Sequence, residues 1–152
     1  MKSEVCFVGI GNEFRSDDGV GLAVVRDLEQ KYSERCPFYY FQEDTISILS
    51  LFELYSRIVI VDAVVTGEKP GTIHRLDLTD HIPDSVEMKF SGHILDIFDV
   101  LRMEKELYGS YPEIHFFGIE GINFHHGTEM NDDVKIAADR LTEKLGREYM
   151  GV

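Results

Sequence analysis

The chain's 152 residues include 28 Asp and Glu against 15 Lys and Arg, a formal net charge of −13. That balance disfavours nucleic acid and anionic membranes as partners and suits a cation or a cationic surface. With 43% hydrophobic and 11% aromatic residues, the length supports one well-buried core and predicts a single domain over 1–152.

Met1-Lys2-Ser3-Glu4 carries charge where a secretory leader would build an apolar segment, which predicts a cytoplasmic protein. The continuous apolar run Val5–Val8, closed by Gly9, reads as a strand buried on both faces. Beyond the acidic loop, Val20, Ala23, Val24 and Leu28 recur at helical spacing and predict a helix to about Tyr32, with Asp17 or Asp18 available as its N-cap. Phe38–Phe41 is aromatic and strand-prone. A helix is expected over Ile46–Tyr55, then a β-branched strand at Ile58–Val61. The apolar run Ile58–Val65 is too short to cross a bilayer and is broken by Asp62, so no membrane insertion is expected.

Gly67, Pro70 and Gly71 mark a turn that leads into Thr72–Leu76, an alternating strand suited to a sheet edge. A helix over Ile94–Met103, a strand over Ile114–Ile119 and a helix carrying Val134, Ala137, Ala138, Leu141 and Leu145 complete the pattern. Strand and helix alternate without repeat or linker. The pattern predicts an α/β fold, a three-layer α/β/α sandwich around a mostly parallel twisted sheet of about five strands. Cys6 and Cys36 lack the spacing of a disulfide framework or a thiolate metal site.

In such a sheet, sites form beyond the carboxyl ends of the strands. Asp18 follows the first strand, Asp44 the second, and Asp62 ends the third, so all three are expected over one edge. His93 lies in a loop before a helix, able to turn in. Gly9-Ile10-Gly11 resembles the start of a dinucleotide fingerprint, but Phe14 replaces its third glycine. Glu13, Asp17 and Asp18 would also repel a pyrophosphate at the following helix. The glycines read equally well as a tight strand-to-helix turn.

Asp62 in an apolar strand is costly to bury unless paired, hydrogen-bonded or ligated; it reads as a site carboxylate or as a turn cap. Carboxylates with an imidazole suit nickel, zinc or a similar cation better than magnesium. His74 and His115 fall on strands, and His125-His126 in a loop. No nucleophile elbow, phosphate-binding loop or H-E-x-x-H helix is present.

Gly9-Ile10-Gly11-Asn12, Asp17-Asp18-Gly19-Val20-Gly21, Val61-Asp62-Ala63 and Ser91-Gly92-His93 together resemble the hydrogenase maturation proteases in order, separation and chain length. The resemblance implies an endopeptidase that removes a C-terminal extension from a nickel-loaded [NiFe] hydrogenase large-subunit precursor. It implies Asp18, Asp62 and His93 as both the catalytic and the metal-contacting residues. Nickel would be carried by the substrate, with cadmium or zinc as substitutes in vitro. Two loops depart from the family's usual pattern, at Gln42-Glu43-Asp44-Thr45 and at Gly118-Ile119-Glu120-Gly121. A pocket of altered shape is therefore expected, and the alternative function is a non-catalytic module that binds a metal or metalloprotein partner.

Overall fold

The computed structural model describes residues 2–42, 44–79, 81–83 and 96–151. Five strands, β1 (Ser3–Ile10), β2 (Phe38–Phe41), β3 (Tyr55–Val64), β4 (Ile73–Asp77) and β5 (Glu113–Glu120), form one sheet. The helices are α1 (Val20–Tyr32), α2 (Ile97–Tyr108) and α3 (Asp132–Met150).

The strand order is β2-β1-β3-β5-β4, with β4 alone antiparallel. The polarity of β4 follows from its connection. β3 ends at Val64 and β4 starts at Ile73. A parallel strand needs a crossover of roughly a dozen residues or more, so this turn starts β4 at the sheet's carboxyl edge and sends it down the outside of β5.

Alternation along the strands divides the core into two. Val8, Ile10, Ile58, Ile60 and Phe116 face α2, which contributes Ile97, Phe98 and Leu101. Phe7, Val59, Val61, Phe117 and Ile119 face α1 and α3, which contribute Val24, Leu28, Val134 and Leu141. Helices thus cover both faces, as the sequence predicts, because strands apolar at every position need cover on each side.

One element differs from expectation. In place of a helix over Ile46–Tyr55, Thr45–Leu51 is a 3-10 segment and Tyr55 already begins β3. Thr45, Ile48 and Leu51 are the buried residues, a spacing of three that suits a helix with three residues per turn. Ser47 Oγ bonds the Asp44 carboxylate, and Ser50 Oγ donates to the Ser47 carbonyl at 2.8 Å. Such local bonds compete with regular α-helical pairing.

α1 ends at Tyr32 as its pattern predicts, while α2 runs on to Tyr108 and α3 to Met150, past the ends their patterns suggest. α2 starts behind a capping box in which Asp96 accepts from the Asp99 amide at 2.9 Å. It ends at left-handed Gly109, whose amide donates to the Lys105 carbonyl at 2.8 Å. Both cysteines are free thiols; burial pushes Cys6 up to about 12 and Cys36 up to about 11. Among the described residues, no helix is long and apolar enough to cross a membrane.

Candidate active site at the carboxyl edge of the sheet

Asp62 lies two residues from the end of β3, the central strand, in register with Gly118 of β5. It is fully buried, and its Oδ1 accepts from the Ala63 amide at 2.8 Å. By alternation it shares the face of Ile58, Ile60 and Val64, the face that α2 covers. An acid in that apolar row runs against strand chemistry and is costly to bury unless bonded.

Asp18 reaches the same edge by another route. β1 leads into a 3-10 turn, Ser16–Gly19, whose four residues are all buried, and α1 starts directly after it. The extra turn overturns the expected capping role: the N-cap of α1 is Gly19, with no side-chain cap bond. Asp18 Oδ2 instead accepts from the Asn12 amide at 3.1 Å, and the same amide donates to the Asp18 carbonyl at 3.2 Å.

Gly11, with φ +148°, makes this fold-back possible; a Cβ there would lie 2.0 Å from the Asp18 carbonyl oxygen. The turn packs against β3. Gly9 and Gly11 therefore serve a tight strand-to-helix turn, which carries two buried carboxylates, Asp17 and Asp18.

Asp17 points elsewhere. Its Oδ2 accepts from the amides of Ile122 and Asn123 at 2.9 and 2.8 Å, and its Oδ1 from the Asn131 amide at 2.7 Å. A fully buried acid is thereby satisfied by the loop that follows β5. The alternation rule could not separate the tasks of Asp17 and Asp18, because the amides that claim Asp17 lie more than 100 residues away.

A further acid that sequence reasoning passed over is Glu120, the last residue of β5, only 1% exposed. It accepts from Thr66 N at 2.7 Å and Thr66 Oγ1 at 2.5 Å, and pairs with His74 Nε2 at 3.1 Å. The departing segment Gly118–Gly121 thus staples the β3–β4 turn to the sheet. Beside the staple lies a cleft of about 310 Å³, with Val65, Pro70, Ile122 and Phe124 among its lining. Its signal in the sequence was the acid closing an otherwise apolar strand, the same signal that singled out Asp62.

Asp44 sits at the N-terminus of the Thr45–Leu51 segment, exposed, beyond the outermost strand β2. Ser91 and His93 lie outside the described residues. His125 and His126 are exposed in the loop after β5. At the opposite end of the sheet, Asp77, Glu113 and His115 cluster, but each has a partner already. Asp77 accepts from the Thr79 amide at 3.0 Å, Glu113 pairs with Arg57 at 2.8 Å, and His115 bonds Tyr149 and Glu113. A larger cleft of about 570 Å³, lined by Lys2, Phe52, Glu104 and Tyr111 among others, also lies away from the carboxylates.

The fold and site define an α/β protein with buried acids at the carboxyl edge of a mostly parallel sheet. A family model described as hydrogenase maturation protease matches residues 42–148, a span that contains Asp62 and His93 and begins after Asp18. The chain belongs to the hydrogenase maturation protease family. The hydrogenase 2 maturation protease of Escherichia coli (strain K12) is 28% identical over 112 residues, covering 72% of this chain and 67% of that protein. Among solved structures, the [NiFe] hydrogenase maturation protease HybD from Thermococcus kodakarensis matches with a TM-score of 0.74 at 27% identity, covering 95% of this chain and 98% of that one. HycI from Thermococcus kodakarensis KOD1, also a [NiFe] hydrogenase maturation protease, matches with a TM-score of 0.71 at 25% identity, over 96% and 92% of the two chains.

Proposed function

We propose that this chain is a cytoplasmic endopeptidase that removes the C-terminal extension of a [NiFe] hydrogenase large-subunit precursor after nickel insertion. The observation that carries the reading is the pair of buried acids, Asp18 and Asp62, held at one edge of the sheet in a member of this family. With His93 they make a donor set of two carboxylates and an imidazole, which suits nickel. The nickel is the precursor's own, and cadmium or zinc stands in for it in vitro.

Anchoring a nickel-bearing segment on these groups would hold the adjoining scissile peptide in the crevice, where orientation alone supplies much of the rate. A water polarised by the metal or by a carboxylate attacks the scissile carbonyl carbon. The C–N bond breaks, and the proton passes to the leaving amine.

The test is tail removal from purified precursor, nickel-loaded and nickel-free, by the wild type, Asp62→Asn and His93→Ala. Cleavage of the loaded form alone, lowered about 100-fold or more in both variants, is the expected result. Wild-type rates in both variants overturn the site. A lasting complex with nickel-loaded precursor that never loses its tail overturns the protease reading in favour of a binding module.

A further inference from the structure

The three amides on Asp17 belong to a larger lacing between the turn that carries Asp18 and the loop after β5. The Asp17 amide donates to the Asn123 carbonyl at 2.9 Å, and the Ser16 amide to the Gly127 carbonyl at 2.8 Å. Ser16 Oγ donates to the His125 carbonyl at 2.9 Å, and the Gly127 amide returns to the Phe14 carbonyl at 2.8 Å.

Ser16 itself takes φ +54°, a left-handed conformation that a serine adopts only when its surroundings hold it there. The strained residue and the fully buried acid are adjacent, and the next residue is Asp18. Gly121 is packed close as well: a Cβ on it would lie 3.0 Å from the Asp17 Cβ.

We propose that Asp17 is a positioning residue for the proteolysis proposed above, acting through Asp18. Closing on Ile122, Asn123 and Asn131, its carboxylate pins loop 121–131 to the 3-10 turn and presents Asp18 at the sheet edge in one orientation. Aspartate suits the task because its two oxygens only accept, and charge strengthens each bond. An asparagine of the same shape would turn an NH2 towards one of the three N–H donors. The loop so held also carries exposed Ile122 and the His125-His126 pair, so the clamp joins the mouth of the site to its carboxylate.

The inference rests on the protease reading, so its test has two arms. The first compares Asp17→Asn with Asn131→Pro and Asn131→Ala in kinetics of tail removal, under conditions where urea titration shows each variant folded. Asn131 has φ −55°, which proline accepts. The proline variant loses the amide that binds Asp17, whereas the alanine variant loses only the side-chain cap on Asp133. A positioning role predicts kcat lowered about 10-fold to 100-fold in Asp17→Asn and Asn131→Pro, KM nearly unchanged, and Asn131→Ala close to wild type. Equal kcat in the proline and alanine variants overturns it.

The second arm needs no cleavage: the carboxyl carbon resonance of Asp18, followed by NMR in the same proteins. Movement in Asn131→Pro but not in Asn131→Ala supports the clamp, and no movement in either overturns it. If the wild type cleaves nothing, the protease reading fails by itself and this resonance still decides the role of Asp17. If Asp17→Asn does not fold, the Asn131 pair decides with Asp17 in place.

Discussion

Gly21 of α1 lies on the carbonyl oxygen of Val61, so close that a Cβ built on it would stand 2.3 Å away. The Ile10 carbonyl oxygen would be 2.6 Å off, and neither backbone atom can rotate out of the way. This contact seats the first turn of α1 on the ends of β1 and β3, beside Asp62.

Gly21→Ala is therefore expected to destabilise the protein by about 3 kcal/mol in urea titration, the upper range of overpacking, despite alanine's helix preference. Gly146→Ala on α3 is the contrasting case. There the nearest atom, at 2.7 Å, is the hydroxyl at the far end of the Tyr32 side chain, which can shift. It should stay within about 1 kcal/mol of wild type. Equal losses in the two variants would show that the Gly21 contact carries no special constraint.

Glu120→Gln tests the staple between β5 and the turn after β3. The amide keeps one accepting oxygen but meets Thr66 N, Thr66 Oγ1 and His74 Nε2 with fewer lone pairs. The expected cost is about 1–3 kcal/mol, with hydrogen-exchange protection at the Thr66 amide lost first. An unchanged urea midpoint and unchanged protection would remove Glu120 from the structural account.

Glu113 gives a pH-dependent prediction. Its hydrogen bond to the Arg57 guanidinium holds the carboxyl below its ordinary 4.5. A depressed carboxylate contributes stability above its unfolded value and loses it as pH falls through the folded value. The gap in stability between wild type and Glu113→Gln should accordingly be present at neutral pH and close as pH drops below 4.5. A gap that widens on acidification would contradict the assignment.

Asp62→Asn separates function from folding. The asparagine keeps the shape of the side chain and an oxygen that can still accept from the Ala63 amide. The urea midpoint is expected to hold or rise, within about 1 kcal/mol, while cleavage is lost. A variant that unfolds would make Asp62 a structural acid.

Much of this arrangement is legible along the chain. Val5–Val8 and Ile58–Val61 are apolar at every position, and Ile114–Ile119 is broken only by His115 and Gly118; such runs mark strands covered on both faces. Asp62 stands out because it interrupts one of them. The 3-10 segment was not legible. Ile46, Ile48, Leu49 and Phe52 fit an α-helix as well as they fit the threefold spacing that the packing selected. Nor was Glu120 legible as a staple, because Thr66 meets it only where β3 pairs with β5, and His74 only where β4 pairs with β5.

By itself, then, the sequence determined the five strands and three α-helices, the two-sided cover of the sheet and the acids at the strand ends. Each follows from the period of side chains along a strand or helix, which is local. The tertiary structure alone decided the place of β5 between β3 and β4 and the separate tasks of Asp17 and Asp18. Those two acids are neighbours of the same type, so local chemistry cannot tell them apart. The Asn12 amide meets one, and amides beyond residue 120 meet the other; a buried carboxylate takes its role from the donors that folding brings to it.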